Sequence, residues 1–375
     1  MTKILLVGSI AGSIVNFRGD LIKAWIEHGC QVVTLSRPSK EARKERIRAL
    51  GAVHREIPIE RDKLNLFKDI KLLFRLRKIL QEEKPDYIFA YTVKPVLYSA
   101  LCVRAARGAK LYIMITGLGY AFAGSSLKQR LIKMVLRLLY RRAVNACEVV
   151  FFQNPDDVEL FKALKIIADE NKVSMINGSG VNLKYFHFSE NKADKEVNFL
   201  LISRLIKSKG ILQYVEAARK VKARYKRVNF KILGRLLNAP DSVDAKDLKD
   251  WQKEGIIEYL GGTEDVRPYI AQSNVYVLPS YYREGIPRSV LEAMSMGRPV
   301  ITTDAPGCRE TVVEGVNGYL VPVKDSRAVA EAMERFIEQP ELIQLMGRES
   351  RRIAEERFDV HKVNRIILET MGIKV

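Results

Sequence analysis

The chain has 375 residues, 47% hydrophobic and 29% charged, enough for two globular domains with separate cores and too apolar for a disordered polymer. Its formal charge is +19, with 31 Lys and Arg against 17 Asp and Glu in residues 1–180 and 32 against 27 in residues 181–375. The N-terminal excess attracts nucleic acid, anionic lipid or a phosphorylated substrate, and charge alone does not choose among them. Four scattered cysteines (Cys30, Cys102, Cys147, Cys308) and four histidines without ligand spacing argue against a disulfide framework or a metal site. No apolar run has the length of a membrane span, and Met1–Gly8 reads as a buried strand instead of a signal peptide, so a cytoplasmic protein is expected.

The strand Ile4–Val7 leads through a loop holding Gly8, Gly12 and Ser13 into a helix over Phe17–His28, with Gly29 as its stop, and the strand Gln31–Ser36 follows. This βαβ start predicts a parallel sheet. Further strand-like runs fall at Val53–Ile57, Tyr87–Tyr91, Leu111–Thr116 and Val149–Gln153. Two helical stretches between them are basic and amphipathic. In Leu64–Leu80, Lys68, Lys71, Arg75 and Lys78 run beside Phe67, Ile70 and Phe74; in Ser125–Arg142, Arg130, Lys133, Arg137 and Arg141 run beside Leu127, Leu131, Met134, Val135 and Leu138. Either these are surface helices with their apolar sides on the sheet, or they attach the protein to an anionic leaflet, where each cation contributes about 1 kcal/mol.

A second strand series begins at Phe199–Ser203 and continues with Asn229–Leu233, Ile257–Leu260, Val275–Pro279 and Pro299–Thr303. Two successive arrays predict an α/β protein of two doubly wound domains, residues 1–188 and 189–358, with the linker near Ser189–Lys195. Residues 359–375, with a helix over His361–Met371, are expected to cross back to the first domain. Ligands in such folds bind at the carboxyl ends of the strands, so the expected cleft lies between facing domains, with the Gly8–Ser13 loop and the turn at Glu284 on its wall. The first loop lacks the Gly-x-Gly-x-x-Gly of a dinucleotide binder.

The run Glu284-Gly285-Ile286-Pro287-Arg288-Ser289-Val290-Leu291-Glu292 sets two carboxylates on either side of a Gly/Pro turn that opens a helix. Backbone N–H groups and the positive helix end suit an anion there, and the carboxylates suit hydroxyls on each side of it, as in a nucleotide-sugar; an ordinary capped helix is the competing reading. Arg204 ends an apolar strand and Lys209 precedes a helix, so both cations are able to converge on a diphosphate.

Arg204-x4-Lys209-Gly210, Glu284-x7-Glu292, Val277-Leu278-Pro279-Ser280, Gly297-Arg298-Pro299-Val300-Ile301 and Asn317-Gly318 together resemble the retaining glycosyltransferases of family 4, over nearly the whole chain. The resemblance implies the GT-B fold, two Rossmann-like domains around a cleft, with no metal and no cofactor. It implies that Arg204 and Lys209 bind the donor diphosphate with Gly285, Ile286, Pro287 and Arg288, that Glu292 holds the ribose, and that Glu284 faces the donor sugar. Val266, in Thr263-Glu264-Asp265-Val266, would flank the base, and Gly12 and Ser13 would border the donor; the loop of Gly307 and Glu310 has no role fixed by the motifs.

In the N-terminal half, Ser13-Ile14-Val15-Asn16-Phe17-Arg18, Thr92-Val93-Lys94-Pro95, Thr116-Gly117-Leu118-Gly119-Tyr120 and Gly180-Val181-Asn182 are similar to bacterial enzymes that add an N-acetylhexosamine to an undecaprenyl-diphospho-sugar. By that similarity Asn16, Arg18, Lys94, Thr116 and Gly117 face the acceptor; many relatives have a histidine where this chain has Thr116. The partners implied are a nucleotide-sugar, with UDP as the nucleotide, a polyprenyl-diphospho-sugar, and anionic lipid on the inner face of the cell membrane, where the protein sits peripherally. Lys68, Lys71, Arg75, Arg130, Lys133 and Arg137 would face that lipid. A nucleotide-sugar epimerase on the same fold, or a basic nucleic-acid binder, are the alternatives; the second leaves the Arg204, Lys209, Glu284 and Glu292 set unexplained, and the chain carries no nucleic-acid-binding signature.

Overall fold

Apolar runs such as Ile4–Val7 have no polar face to turn to water, so they are stable only as strands covered on both sides. In the computed structural model, which describes residues 1–59, 66–119, 127–191, 196–237 and 241–374, these runs form two parallel sheets. Outside that set lie Leu64, Asn65, Tyr120, Ser125, Ser126 and residues 192–195 of the expected linker, together with the side chains of Phe67, Lys68 and Leu127.

The first unit comprises Met1–Ser179 and Val360–Val375. Its strands are β1 (Lys3–Ile10), β2 (Gln31–Arg37), β3 (Val53–Glu56), β4 (Tyr87–Tyr91), β5 (Lys110–Ile115), β6 (Val149–Phe152) and β7 (Val173–Met175), ordered β3-β2-β1-β4-β5-β6-β7. Its helices are α1 (Ala11–Glu27), α2 (Glu41–Arg48), α3 (Leu66–Glu83), α4 (Val93–Cys102), α5 (Leu127–Ala146) and α6 (Pro155–Ala163). Alternation along β1 divides the core in two. Leu5 and Val7 pack with Leu72, Leu76, Val96 and Leu136 of α3, α4 and α5, whereas Ile4 and Leu6 pack with Ile22 and Trp25 of α1.

The second unit, Gly180–Asp359, contains β8 (Val197–Ile202), β9 (Val228–Leu233), β10 (Glu258–Tyr259), β11 (Val275–Leu278), β12 (Val300–Thr303) and β13 (Gly318–Val321), ordered β10-β9-β8-β11-β12-β13. Its helices are α7 (Ile211–Arg224), α8 (Ala245–Lys253), α9 (Arg267–Ala271), α10 (Arg288–Ser295), α11 (Ser326–Glu338) and α12 (Glu341–Arg357). In each sheet the strand order reverses beside the first strand, between β1 and β4 and between β8 and β11. Ligands of doubly wound sheets bind at such a switch point.

Several boundaries differ from the sequence reading. Gly12 and Ser13 are not in a loop: β1 runs to Ile10 and α1 starts at Ala11, because Ala11, Ile14, Leu21, Ile22 and Trp25 recur at helical spacing and are all buried. The division between 188 and 189 moves to Ser179–Gly180, since the Val181 N–H donates to the Phe358 carbonyl (2.8 Å) and Val181 and Phe186 belong to the second core. The last helix, α13 (Val360–Thr370), buries Val363, Ile367 and Leu368 in the first unit's α1-side core. Strands β7 and β13 are additional: β7 is short and half-buried, and β13 begins within Asn317-Gly318, a dipeptide that reads as a turn.

Candidate functional site

At the switch point of the second sheet, the segment after β8 carries Arg204 and Lys209 and the segment after β11 carries Glu284. The Lys209 ammonium donates to the Glu284 carboxylate, whose other oxygen accepts from the Ser280 hydroxyl at 2.8 Å. Both side chains are mostly shielded, 9% exposed for Lys209 and 13% for Glu284. Arg204 and Lys209 both lie over the Tyr282 ring, 5.5 and 5.7 Å from its centroid, within cation–π range. The two cations and the first carboxylate therefore converge, and Tyr282, which no motif points to, is the ring that gathers the cations.

Local backbone explains this closeness. Lys207–Lys209 form a short 3-10 turn that ends at Gly210, whose φ is +78°. A Cβ on Gly210 would stand 2.0 Å from the Pro279 carbonyl oxygen, so only glycine lets the turn lie against the β11 exit. Asp241 holds the turn from the other side: its carboxylate accepts from the Ser208 N–H (3.2 Å) and the Ser208 hydroxyl, and its carbonyl accepts from the Lys207 N–H (2.7 Å). The Ser208 carbonyl in turn accepts from the Tyr281 N–H at 2.9 Å, tying the lysine turn to the segment that leads to Glu284. Asp241 carries no sequence signal for this role, because its proximity follows from the β8–β9 pairing.

Helix α10 starts at Arg288 with Pro287 as its N-cap, and Gly285, Ile286 and Pro287 are buried. Glu292 lies one turn in and accepts from the Arg288 Nε at 3.0 Å, so the arginine expected at the phosphates also neutralises the carboxylate expected at the ribose. Burial pushes the Glu292 carboxyl up, and Arg288 pulls it back only in part. The Tyr276 hydroxyl of β11, within hydrogen-bond distance of the Ile202 carbonyl (3.0 Å) and the Ser289 hydroxyl (2.7 Å), joins the end of β8 to the first turn of α10. Gly307 gains a definite place: a Cβ there would be 1.5 Å from the Gly285 carbonyl oxygen, so its loop buttresses the Glu284 turn by backbone contact. Val266 precedes α9 and packs on the α10-side core; beside it Asp265 pairs with Arg267, and Glu264 with Arg235.

In the first unit the expected residues sit around the β1–β4 switch point, with one exception. Ser13 accepts from the Tyr91 hydroxyl at 3.2 Å, and Gly12 neighbours it in the first turn of α1. Asn16 is exposed on α1, and Thr116 and Gly117 follow β5, partly buried. Lys94 is in the first turn of α4 and donates to Asp69 of α3 at 2.9 Å, which makes it a paired and shielded lysine. Arg18 is the exception. It is 2% exposed, donates to the Phe17 carbonyl, the Ser179 hydroxyl (3.0 Å) and the Met114 sulfur (2.8 Å), and stacks over Tyr91, so it ties α1 to the sheet instead of facing an acceptor.

Residues 12–176 match the family model described as Glycosyl transferase 4-like domain, and residues 184–353 match Glycosyl transferases group 1. The chain belongs to the glycosyltransferases. The glycosyltransferase is 27% identical, over 88% of each chain, to the N,N'-diacetylbacillosaminyl-diphospho-undecaprenol alpha-1,3-N-acetylgalactosaminyltransferase of Campylobacter jejuni. It is also 27% identical to the UDP-Gal:alpha-D-GlcNAc-diphosphoundecaprenol alpha-1,3-galactosyltransferase of Escherichia coli, over 80% of this chain and 78% of that one. Among solved structures it resembles Anabaena HepE in complex with UDP, with a TM-score of 0.78, 19% identity, and coverage of 99% of this chain and 100% of that one. The fold is GT-B.

Of the apolar residues expected on α3 and α5 of the glycosyltransferase, those with described side chains do not lie on the sheet. The core receives Leu72, Leu76, Ile79 and Leu80 of α3 and Leu136, Tyr140, Ala143 and Val144 of α5. Ile70 and Phe74 of α3 and Leu131, Met134, Val135 and Leu138 of α5 are exposed instead. Lys71, Arg75 and Arg130 are exposed near them, and Lys133 and Arg137 are partly buried. Among the described residues no helix is long and apolar enough to cross a membrane.

Proposed function

We propose that the glycosyltransferase transfers an N-acetylhexosamine from a UDP-sugar to a polyprenyl-diphosphate-linked acceptor sugar, with retention of configuration and without a metal ion. The observation that carries this is the convergence of Arg204, Lys209 and Glu284 at one switch point, with Tyr282 against both cations. The acceptor class is supported by the names of the Campylobacter and Escherichia relatives, and UDP by the name of the second and by the ligand of HepE.

In this reading Arg204 and Lys209, with the backbone of Gly285–Arg288 and the start of α10, neutralise the donor diphosphate. A lysine ammonium has three donors, so its bond to Glu284 leaves room for a phosphate oxygen. Glu284 faces the sugar, Glu292 the ribose and Val266 the base, with Gly12 and Ser13 bordering the donor and Asn16, Lys94, Thr116 and Gly117 the acceptor. The bond from the anomeric carbon to the phosphate oxygen breaks, the acceptor oxygen bonds to that carbon on the same face, and the hydroxyl proton passes to the departing phosphate. No carboxylate acts as nucleophile. The protein sits peripherally on anionic lipid at the inner face of the membrane, drawn there by Lys71, Arg75, Arg130, Lys133 and Arg137.

The test is a panel of nucleotide-sugars with a polyprenyl-diphospho-sugar acceptor, reading free nucleotide, the anomeric configuration of the product and the effect of a chelator. Acceptor-dependent release of UDP, an axial product from an axial donor, and indifference to chelator are expected. Interconversion of donor sugars without an acceptor would replace this reading with an epimerase, and an inverted product would exclude the front-face mechanism.

A further inference from the structure

Helix α5 is apolar on two sides. One arc, Leu136, Tyr140, Ala143 and Val144, is buried in the core; the other, Leu131, Met134, Val135 and Leu138, recurs at three- and four-residue spacing and is 47–60% exposed. Water gains nothing from such a ridge, and four contiguous large apolar side chains on the outside of a helix mark a docking surface. The border of the ridge identifies the occupant. Arg130, Lys133, Arg137 and Arg141 follow one another at the same spacing along its edge, and the 20 residues of α5 contain no Asp or Glu. An apolar strip on a helix that supplies cations and no acidic residue matches the boundary between hydrocarbon and anionic headgroups. Helix α3, on the same side of the sheet with α4 between, adds a smaller patch of the same kind: Phe74 is 70% exposed and stands beside the exposed Lys71 and Arg75.

We infer that α5 inserts its Leu131–Leu138 ridge into the hydrocarbon of an anionic bilayer, with Phe74 of α3 as a second contact, so that the first unit is held by apolar burial and not by charge alone. This deepens the proposed function and rests on it in one respect: a lipid-linked acceptor is met only at a bilayer.

The experiment uses the full chain and vesicles of phosphatidylcholine with or without phosphatidylglycerol. The wild type is expected to float with the anionic vesicles at about 0.1 M salt and to keep much of that binding at about 0.5 M, where screening removes most of the electrostatic contribution. The triple variant Leu131→Ser, Met134→Ser, Leu138→Ser is expected to lose more than about tenfold in partitioning at both salt concentrations. Arg130→Gln, Lys133→Gln, Arg137→Gln is expected to bind anionic vesicles as the wild type does at high salt. A direct readout comes from Leu138→Trp. Both native tryptophans, Trp25 and Trp251, are buried, so a blue shift and quenching by brominated lipid, measured against the wild type, report on the new side chain alone.

Emission from the Leu138→Trp variant that is neither shifted nor quenched, or full vesicle binding by the serine variant, would overturn the inference. So would a dimer that the serine variant dissociates while the wild type ignores vesicles, since the ridge would then bind a second copy. The two readings fail separately. Transfer to a water-soluble short-chain acceptor is expected to be unchanged in the serine variant, and a wild type that binds vesicles but releases no nucleotide would defeat the proposed function while leaving the docking surface standing.

Discussion

Gly307→Ala probes whether the Glu284 turn must sit where its neighbouring loop puts it. The φ of Gly307 is +83°, where an alanine costs about 1 to 2 kcal/mol. The added Cβ would stand 1.5 Å from the Gly285 carbonyl oxygen and 2.8 Å from that of Glu284. Neither atom belongs to a side chain able to swing away, so the backbone itself has to yield, at about 1 to 3 kcal/mol more, the range for overpacked sites. The total is about 2 to 5 kcal/mol. Gly315→Ala is the control, because φ there is +72° and nothing lies within 4 Å of the added atom. Urea unfolding of both variants measures the stability difference, and acceptor-dependent UDP release at a temperature where both are folded measures kcat. Gly307→Ala is expected to be the less stable by at least about 1 kcal/mol. Its kcat is expected to fall by up to about 100-fold, the scale of an ångström of misplacement, because the Glu284 carboxylate shifts from Lys209. If the two variants match in stability and turnover, Gly307 does not set the position of the turn and the reasoning fails.

Arg204→Ala is expected to lower kcat by about 30- to 1,000-fold, the scale of about 2 to 4 kcal/mol for a lost oxyanion donor, with an unchanged unfolding midpoint. Lys209→Ala is expected to lose as much turnover and also about 3 kcal/mol of stability, since the shielded Glu284 carboxylate loses its cation; near-wild-type turnover in either variant would remove these residues from catalysis. Because burial raises the Glu292 carboxyl, it takes up its proton above the ordinary carboxylate range. The donor KM should therefore rise as pH falls through that raised value. The linked stability is fully present below the ordinary range and lost as pH rises through the raised value, and Glu292→Gln should flatten both profiles. Burial also lifts the thiols, Cys102 to about 11 and Cys147 and Cys308 to about 12, and Cys30 upward as well. At pH 8 thiolate is then about one part in a thousand or less at the first three, so iodoacetamide should label the native chain slowly and all four cysteines in denaturant; rapid native labelling of Cys308 would contradict its burial.

Arg204, Lys209 and Glu284 are legible as candidate site residues because each closely follows an apolar strand, and strands in such sheets end along one edge. Which strand ends are neighbours is not local information. The separation of 75 positions between Lys209 and Glu284 is closed only by the adjacency of β8 and β11, so their ion pair has no sequence signature. The same limit applies to Arg18, an arginine on an amphipathic helix whose partners, Ser179 and Met114, come from distant segments. Periodicity also has no means of saying which of two apolar arcs on α5 meets the sheet; the strands beneath it decide that Leu136 and Tyr140 do and Leu131 and Leu138 do not. In the proposed transfer the Lys209–Glu284 pair does more than hold the fold. A lone, hydrated lysine would have to shed water and settle into one rotamer as the diphosphate leaves. A lysine held by Glu284 and Tyr282, on a turn fixed by Asp241 and Gly210, has already done both, so its charge is in place before the bond breaks. That preorganisation, more than the number of cations, is what the proposed metal-free transfer needs to stabilise a departing diphosphate.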